Sequence, residues 1–212
     1  MKSVLRSACL LVFLAVHHAM AASLAIQAGT VHTMAGPAIS NGLILVREGK
    51  IAYVGPAAGQ TIPADHQVVH AKVATPGLVD ARATVGLSGL LNQPQDQDML
   101  ERSAPLQPEL RAIDAYNAQD PLVAWLRSFG VTTVNTGHAP GALISGQTMI
   151  VKTSGRNVES DVVNPAAMIA VSLGNSAVVR AEGPAAAKSP GTRAKAVAML
   201  RAELIKAQEY AK

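Results

Sequence analysis

The pattern of apolar and polar positions separates a strand-rich first part of the chain from a mixed second part. In the first part, short apolar runs lie between polar or glycine-containing turns, which predicts β-strands rather than helices. Asn41-Gly42 is predicted to form a tight turn, and Glu48-Gly49 is predicted to turn the chain between two strands. Together these runs predict a small β-sandwich. Its predicted strands are residues 24–28, 43–46, 51–55 and 67–70.

The second part alternates predicted strands and helices. Residues 78–80 are apolar and follow Pro76-Gly77, which is typical of a fully buried strand in a parallel sheet. Residues 86–108 read as a long loop. The strand–helix–strand order predicts βαβ units and therefore a parallel sheet. The further strands are 131–136 and 148–153 around a glycine-rich loop at 137–147, and the helices are 121–129 (ended by Gly130), 165–173 and 192–210.

The N-terminus has the pattern of a secretory signal peptide. Lys2 and Arg6 precede an apolar run at 8–16, and Ala19-Met20-Ala21 supplies small residues for cleavage. The apolar run is shorter than the roughly 20 residues of a spanning helix, although an uncleaved anchor is the alternative. We therefore expect residues 1–21 to be removed, the mature chain to have no membrane span, and the protein to be exported, to a bacterial periplasm.

Composition narrows the function classes. The only cysteine, Cys9, lies in the signal segment, so we expect no disulfide or thiolate chemistry in the mature chain. The net charge is +4 before cleavage and falls with the loss of Lys2 and Arg6. Because no basic stripe with interleaved aromatics is present, nucleic acid is not an expected partner. Hydrophobic residues make up 49% and aromatics 3%, which favours an α/β core of Ala, Val, Leu and Ile.

Several short motifs occur in a fixed order along the chain, and the central one is TPGLVD at residues 75–80. The others are Asn41-Gly42, Val46-x-x-Gly49-Lys50-Ile51, Val54-Gly55, Leu110-Arg111-Ala112-x-Asp114, Phe129-Gly130-Val131-Thr132-Thr133-Val134 and Ile144-Ser145-Gly146-Gln147. By their common order and spacing these motifs resemble the N-terminal region of imidazolonepropionase-like amidohydrolases. In that superfamily the TPGLVD motif is normally followed by His-x-His.

The resemblance implies a composite α/β architecture, in which a small β-sandwich precedes a (β/α) TIM-like barrel. On that basis we expect a signal peptide at 1–21, a β-sandwich domain at 22–74 and the N-terminal half of a barrel at 75–212. Typical family members bind zinc or another divalent metal and hydrolyse non-peptide carbon–nitrogen bonds. The metal lowers the pKa of a bound water to about 7, and the resulting hydroxide attacks the bond.

The sequence departs from the family pattern at the first two metal ligands. Arg82 and Thr84 occupy the His-x-His positions. Arginine has no lone pair to offer a metal, and a threonine hydroxyl is a poor zinc ligand. We therefore expect no metal site and no cofactor in this chain, and a protein that is inactive or incomplete as a hydrolase.

The length of the second part is a further departure. Residues 76–212 are fewer than the roughly 250 of a complete barrel. The sequence therefore suggests a fragment whose exposed sheet edges are covered by a separately encoded C-terminal half or by a second copy of the chain. The alternative is an exported, non-catalytic binding or interaction protein on the same frame, with a small-molecule ligand.

Three residues near the expected site are candidates for function. Arg82 is predicted at the barrel mouth, either as a clamp for an acidic ligand or in a salt bridge to a loop carboxylate such as Asp96 or Asp98. Asp80 is expected to position the loop. His138 follows the second strand and could be a catalytic or ligand-binding residue, or only a hydrogen-bonded loop residue. The other histidines of the mature chain, His32, His66 and His70, are expected on the surface of the sandwich.

Overall fold

The structure is a computed structural model that describes residues 23–91, 93–178 and 190–212. The predicted signal segment 1–21 lies outside the described residues. The chain divides into two compact units, one up to Pro76 and one from Gly77 to Lys212.

The first unit contains one mixed four-stranded sheet, in the order β3-β2-β1-β4. β1 pairs antiparallel with β2 and parallel with β4, and β2 pairs antiparallel with β3. All four predicted strands are confirmed, and each is longer than predicted. They are β1 (Leu24–Val31), β2 (Ile39–Arg47), β3 (Lys50–Pro56) and β4 (Gln67–Ala74).

Turn chemistry explains the connection between β2 and β3. Glu48 and Gly49 have φ values of +52° and +72°, as a two-residue type I′ hairpin turn requires, and Arg47 pairs with Lys50 across it. The other predicted turn is wrong, because Asn41-Gly42 lies inside β2 with Gly42 opposite Ala28. Asn41 has φ +47°, so the residue tolerates a left-handed kink within the strand without ending it.

The β-sandwich expected for 22–74 is not found in the described part of the first unit. A sandwich requires two sheets packed face to face, and these residues form a single sheet. The more general prediction, that this region is small and rich in β-strands, is confirmed. His32 and His70 are exposed as expected, whereas His66 is only 9% exposed. Its Nδ1 lies 2.9 Å from Asp65 Oδ1, and this hydrogen bond holds the pKa of the Asp65 carboxyl below its ordinary value.

The second unit contains the other mixed sheet, in the order β5-β6-β7-β8. β5 and β6 run parallel with a helix, α1 (Pro121–Ser128), between them in sequence, so one predicted βαβ unit is confirmed. β7 pairs antiparallel with both β6 and β8. The strands are β5 (Leu78–Ala83), β6 (Val131–Thr136), β7 (Ile144–Lys152) and β8 (Val162–Val171).

The antiparallel strands correct the prediction of a half barrel. A barrel of βα units needs a crossover of a dozen or more residues between neighbouring strands, and only residues 137–143 separate β6 from β7. The strand predicted at 148–153 begins earlier, at Ile144, and shortens the predicted loop. Within the described residues the second sheet is therefore mixed, and it is not a parallel barrel.

The helix predicted at 165–173 is also wrong, because residues 165–171 belong to β8. The run is apolar and rich in alanine, so its composition is compatible with either element. Pairing with β7 decides between them, with Met168 opposite Thr148 and Ile169 opposite Gln147. Pro165 is tolerated because β8 is an edge strand. Pairing with a neighbouring strand, rather than local secondary-structure propensity, therefore determines the structure of this segment.

Capping residues explain the confirmed helices. Asp120 Oδ1 accepts a hydrogen bond from the Leu122 N–H at 2.8 Å at the start of α1, and Gly130, with φ +83°, follows its end. A short helix, α2 (Val158–Asp161), precedes β8. The C-terminal helix α3 (Arg193–Tyr210) begins after Thr192, whose Oγ1 accepts from the Lys195 N–H at 3.2 Å.

The core of the second unit lies between α1, β6, β7 and the segment that follows β5. β5 itself was expected to be fully buried, but Leu78 and Val79 are 60% and 68% exposed, because β5 is the other edge of the sheet. In the predicted loop at 86–108, the described residues form one turn of 3-10 helix, Pro94–Asp96, and isolated bridges such as that of Ser88 with Gln97. The core residues are Leu87, Ala112, Tyr116, Ala118, Val123, Val134, Met149 and Val151.

Candidate functional site

The site begins at an irregularity near the end of β5. Asp80 lies opposite Val134 of β6, and pairing resumes with Ala83 opposite Thr136, so β5 has one more residue than β6 in this interval. The Asp80 carboxylate accepts a hydrogen bond from the Arg82 N–H at 2.9 Å. Such a bulge redirects the side chains around it. The expected positioning role of Asp80 therefore has a concrete form, a local hydrogen bond at Arg82.

Asn135 of β6 supports the same bulge from the neighbouring strand. Its Nδ2 donates to the Ala81 carbonyl at 3.1 Å, a bond that joins positions 54 residues apart in sequence. The same Nδ2 lies 3.7 Å from Met168 Sδ on β8. Asn135 is 8% exposed, and its Oδ1 has no hydrogen-bond partner among the described residues. One buried acceptor is therefore left available.

His138 follows β6, as predicted, and is 6% exposed. Neither Nδ1 nor Nε2 has a hydrogen-bond partner among the described residues. Burial lowers the pKa of His138, and the nearby Leu110 carbonyl opposes this only partly. The imidazole is therefore held in its neutral form.

Gly146 makes room for the His138 ring. Its φ of +131° favours glycine, and a Cβ at this position would lie 2.5 Å from His138 Cδ2 and 2.7 Å from the Leu110 carbonyl oxygen. β7 can pass directly beneath the imidazole only because this residue lacks a side chain. The predicted glycine-rich segment therefore has a steric role in placing His138.

Arg82, Asn135 and His138 line one cavity of about 270 Å³ in the second unit. Thr148 of β7 also lines it and is 7% exposed, with an Oγ1 that has no partner among the described residues. Arg82 is the one permanently charged residue among the described lining residues. The remainder of the wall is small or apolar, and consists of Ala81, Ala83, Gly137, Met168, Ile169, Ala170 and Val171.

The salt-bridge alternative for Arg82 is not seen in the described part of the chain. The salt bridges there do not include Arg82, which is exposed to solvent. Asp96 and Asp98 instead line a separate cavity of about 90 Å³ with Ser88 and Asn117. Arg82 therefore keeps its charge available at the larger cavity.

The residues at the family's ligand positions do not fit a metal. Arg82 lines the cavity but cannot coordinate, and Thr84 turns into the following loop, where its Oγ1 lies 3.4 Å from Ser88 Oγ. His138 could supply one nitrogen ligand, whereas a catalytic zinc site needs three protein ligands. Across residues 23–91, 93–178 and 190–212, no group of three or more His, Cys, Asp or Glu side chains is placed to hold a metal ion.

Sequence reasoning identified Arg82 and His138 but missed Asn135 and Thr148. Asn135 lies in the strand VTTVNT and Thr148 in the strand ISGQTMIVK, and neither belongs to a recognisable functional motif. Two other buried hydroxyls without partners among the described residues, those of Tyr116 and Ser145, do not line the cavity. Three unpartnered polar side chains and one cation are thus concentrated around a single cavity.

In the residues that the structure describes, no helix has the length and apolar character needed to cross a membrane.

Comparison with solved structures identifies an amidohydrolase-like fold. The crystal structure of an amidohydrolase from Thermotoga maritima MSB8 matches 88% of this chain with a TM-score of 0.71 and 24% sequence identity. This chain spans 48% of that protein.

A second similar structure is that of ochratoxinase from A. niger, at 27% identity over 36% of this chain and 20% of that one. Its TM-score is 0.29, too low to support an argument. No model of a protein family matches the chain, and no curated protein does. Over most of its length the chain therefore has the fold of an amidohydrolase, at an identity that shows the fold alone.

Proposed function

We propose that the second unit binds a small acidic ligand in the cavity lined by Arg82, Asn135, His138 and Thr148, and that this binding replaces the metal chemistry of the fold. The observation that carries the proposal is the convergence of three buried, unpartnered polar side chains with a cation at one cavity. Buried polar groups are normally hydrogen-bonded, so such a group at a cavity indicates a missing partner.

The charge of the cavity favours an anion. No Asp or Glu is among its described lining residues, and Arg82 has a permanent positive charge. A guanidinium presents its N–H groups as a planar fork that matches a carboxylate, and a hydrogen bond between charged groups contributes about 1.5–3 kcal/mol. Because burial keeps the His138 imidazole neutral, one ring nitrogen donates and the other accepts, and the histidine can bind either kind of ligand atom.

A carboxylate probe and its neutral counterpart test the proposal. Calorimetric titration should show that N-acetylglycine binds and that N-acetylglycinamide, of nearly the same shape, binds at least tenfold more weakly. Arg82→Ala should weaken binding of the acid by tenfold or more, since tenfold corresponds to about 1.4 kcal/mol. Arg102→Ala is the matched control, because Arg102 is exposed and lies outside the cavity lining. Equal binding of acid and amide, or equal effects of the two arginine variants, would contradict the proposal.

Hydrolysis of a non-peptide carbon–nitrogen bond is the second candidate. It is favoured by the structural likeness to the Thermotoga amidohydrolase, of which this chain spans 48%. For hydrolysis, the metal ligands that this chain lacks would come from a separately encoded C-terminal half or from a second copy of the chain. That partner would also cover the exposed edge strands β5 and β8. Metal-dependent hydrolysis of an N-acylated substrate by purified protein, with stoichiometric zinc bound, would support this candidate against the first. Export to a periplasm remains part of both proposals.

A further inference from the structure

We infer that the ligand of this cavity is a small carboxylic acid that also has an N–H or O–H group, and that Asn135 Oδ1 accepts the hydrogen bond from that group. This inference rests on the proposed function, because it assumes that an acidic ligand occupies the cavity. It adds a second recognition element on β6, separate from the Arg82 cation on β5.

The orientation of the Asn135 amide is fixed by its surroundings. The Ala81 carbonyl, 3.1 Å from Nδ2, can only accept a hydrogen bond, and Met168 Sδ at 3.7 Å is also an acceptor. Turning the amide over would place its oxygen against the carbonyl oxygen and lose the hydrogen bond. The atom left without a partner is therefore Oδ1, which accepts and cannot donate.

The other polar groups of the cavity do not impose a requirement of this kind. The Thr148 hydroxyl can rotate to donate or to accept, and the neutral His138 ring has one nitrogen of each type. Arg82 only donates, and a carboxylate satisfies it. Asn135 is thus the side chain that distinguishes a ligand with a second donor from one without.

A ligand without that donor would leave the oxygen buried and unpaired. Water can solvate such an atom while the cavity is open, and the ligand must then replace the water's hydrogen bond. A buried acceptor that loses its partner costs about 1–3 kcal/mol. This is enough to separate two acids that differ by a single hydrogen-bond donor.

The size of the cavity limits the rest of the molecule. A volume of about 270 Å³ lies just below the range of roughly 300–1,000 Å³ found for drug-sized ligands. Met168, Ile169 and Val171 form an apolar part of the wall. A short apolar segment between the carboxylate and the donor group would fit these surroundings.

Two pairs of probe acids test the inference on the full chain by calorimetry or by saturation-transfer NMR. N-Acetylglycine and N-acetyl-N-methylglycine differ in one N–H, and methylation adds bulk. Lactate and propionate differ in one O–H, and its loss removes bulk. We expect the member with the donor to bind about tenfold more tightly in both pairs, so that crowding cannot explain the result. In Asn135→Ala, both preferences should fall to less than twofold, whereas any weakening caused by the loss of the Ala81 hydrogen bond should affect both members of each pair equally.

The possible outcomes distinguish a failure of the inference about Asn135 from a failure of the proposed function. Acids that bind in an Arg82-dependent manner but show no preference within either pair would overturn the inference and leave the proposed function standing. A preference that persists in Asn135→Ala would also overturn it, because the donor would then have another partner. If no probe acid bound to the wild-type chain, the proposed function would fail together with the inference.

Discussion

The Asp80 carboxylate accepts a hydrogen bond from the Arg82 backbone N–H at 2.9 Å, two residues along the same strand. This bond sits where β5 has one residue more than β6, so it supports the bulge that sets the direction of Arg82. Asn135 stabilises the same bulge through the Ala81 carbonyl. Two side chains, Asp80 and Asn135, thus stabilise the bulge at which the Arg82 cation lies.

Replacement of Asp80 should show how much this bond contributes. Asp80→Ala removes the acceptor, and we expect a loss of about 0.5–1.5 kcal/mol in the free energy of unfolding, together with weaker acid binding. Asp80→Asn retains an oxygen acceptor and should remain within about 0.5 kcal/mol of wild type. Urea denaturation of the three proteins measures the effect. Equal losses in both variants would show that the charge of Asp80, rather than its hydrogen bond, is what matters.

Gly146→Ala should destabilise the second unit and disturb His138. A Cβ at this position would lie 2.6 Å from His138 Nε2, and neither the ring nor the Leu110 carbonyl can move freely. Overpacking of this kind costs about 1–3 kcal/mol, and the positive φ adds strain. Gly174→Ala in the same unit is the control, because no atom lies within 4 Å of its added Cβ. Thermal unfolding that affected both variants equally would contradict the proposed contact.

The stability of the protein should depend on pH through His138. Burial lowers the pKa of this histidine below its ordinary value of 6.5, so the unfolded chain takes up a proton more readily than the folded one. Stability should therefore decrease as the pH falls below about 6.5. Urea titrations at pH 7.5 and 5.5 should show a smaller decrease for His138→Gln than for wild type. His32→Gln, at an exposed position, should behave as wild type.

Asp161 should cause a second loss of stability at lower pH. The residue is buried, with 2% of its surface exposed. Burial alone would raise the pKa, but hydrogen bonds from Ser154, Ser160 and the Arg156 N–H outweigh burial and hold the pKa of Asp161 below its ordinary 3.8. The stabilisation is thus present above pH 3.8 and is lost as the pH falls through the lower, folded-state value. The stability gap between wild type and Asp161→Asn should be largest near pH 6 and should narrow below pH 4. A constant gap would contradict the role assigned to the ionised form.

Much of the fold could be predicted from the sequence because local signals determine it. Asp120 and Pro121 begin α1 and Gly130 follows its end, and the Glu48-Gly49 turn joins β2 to β3. The failures involve pairing between distant segments. Residues 165–173 are apolar without a clear period, and only their contact with β7 makes them a strand. Leu78 and Val79 suggested a buried strand because nothing in the sequence reveals that β5 lies at an edge.

The residues of the candidate site likewise fall into those that the sequence could reveal and those that only the fold reveals. Arg82 and His138 could be found because they stand at recognisable points, after the TPGLVD motif and after the second strand. Asn135 could not, since its role depends on the Ala81 carbonyl 54 residues away. Thr148 likewise acquires its role only because β7 turns back beside β6. In both cases the significant property is a hydrogen-bonding atom without a partner, which only the folded arrangement reveals.

The most direct test of the central claim is an NMR titration of the isotope-labelled protein with N-acetylglycine. We expect the largest shifts at the Asn135 side-chain amide and the His138 ring, and we expect Arg82→Ala to abolish them at the same ligand concentration. Shifts confined to other surfaces, such as the cavity lined by Asp96 and Asp98, or unchanged shifts in Arg82→Ala, would contradict the assignment of this cavity as an acid-binding site.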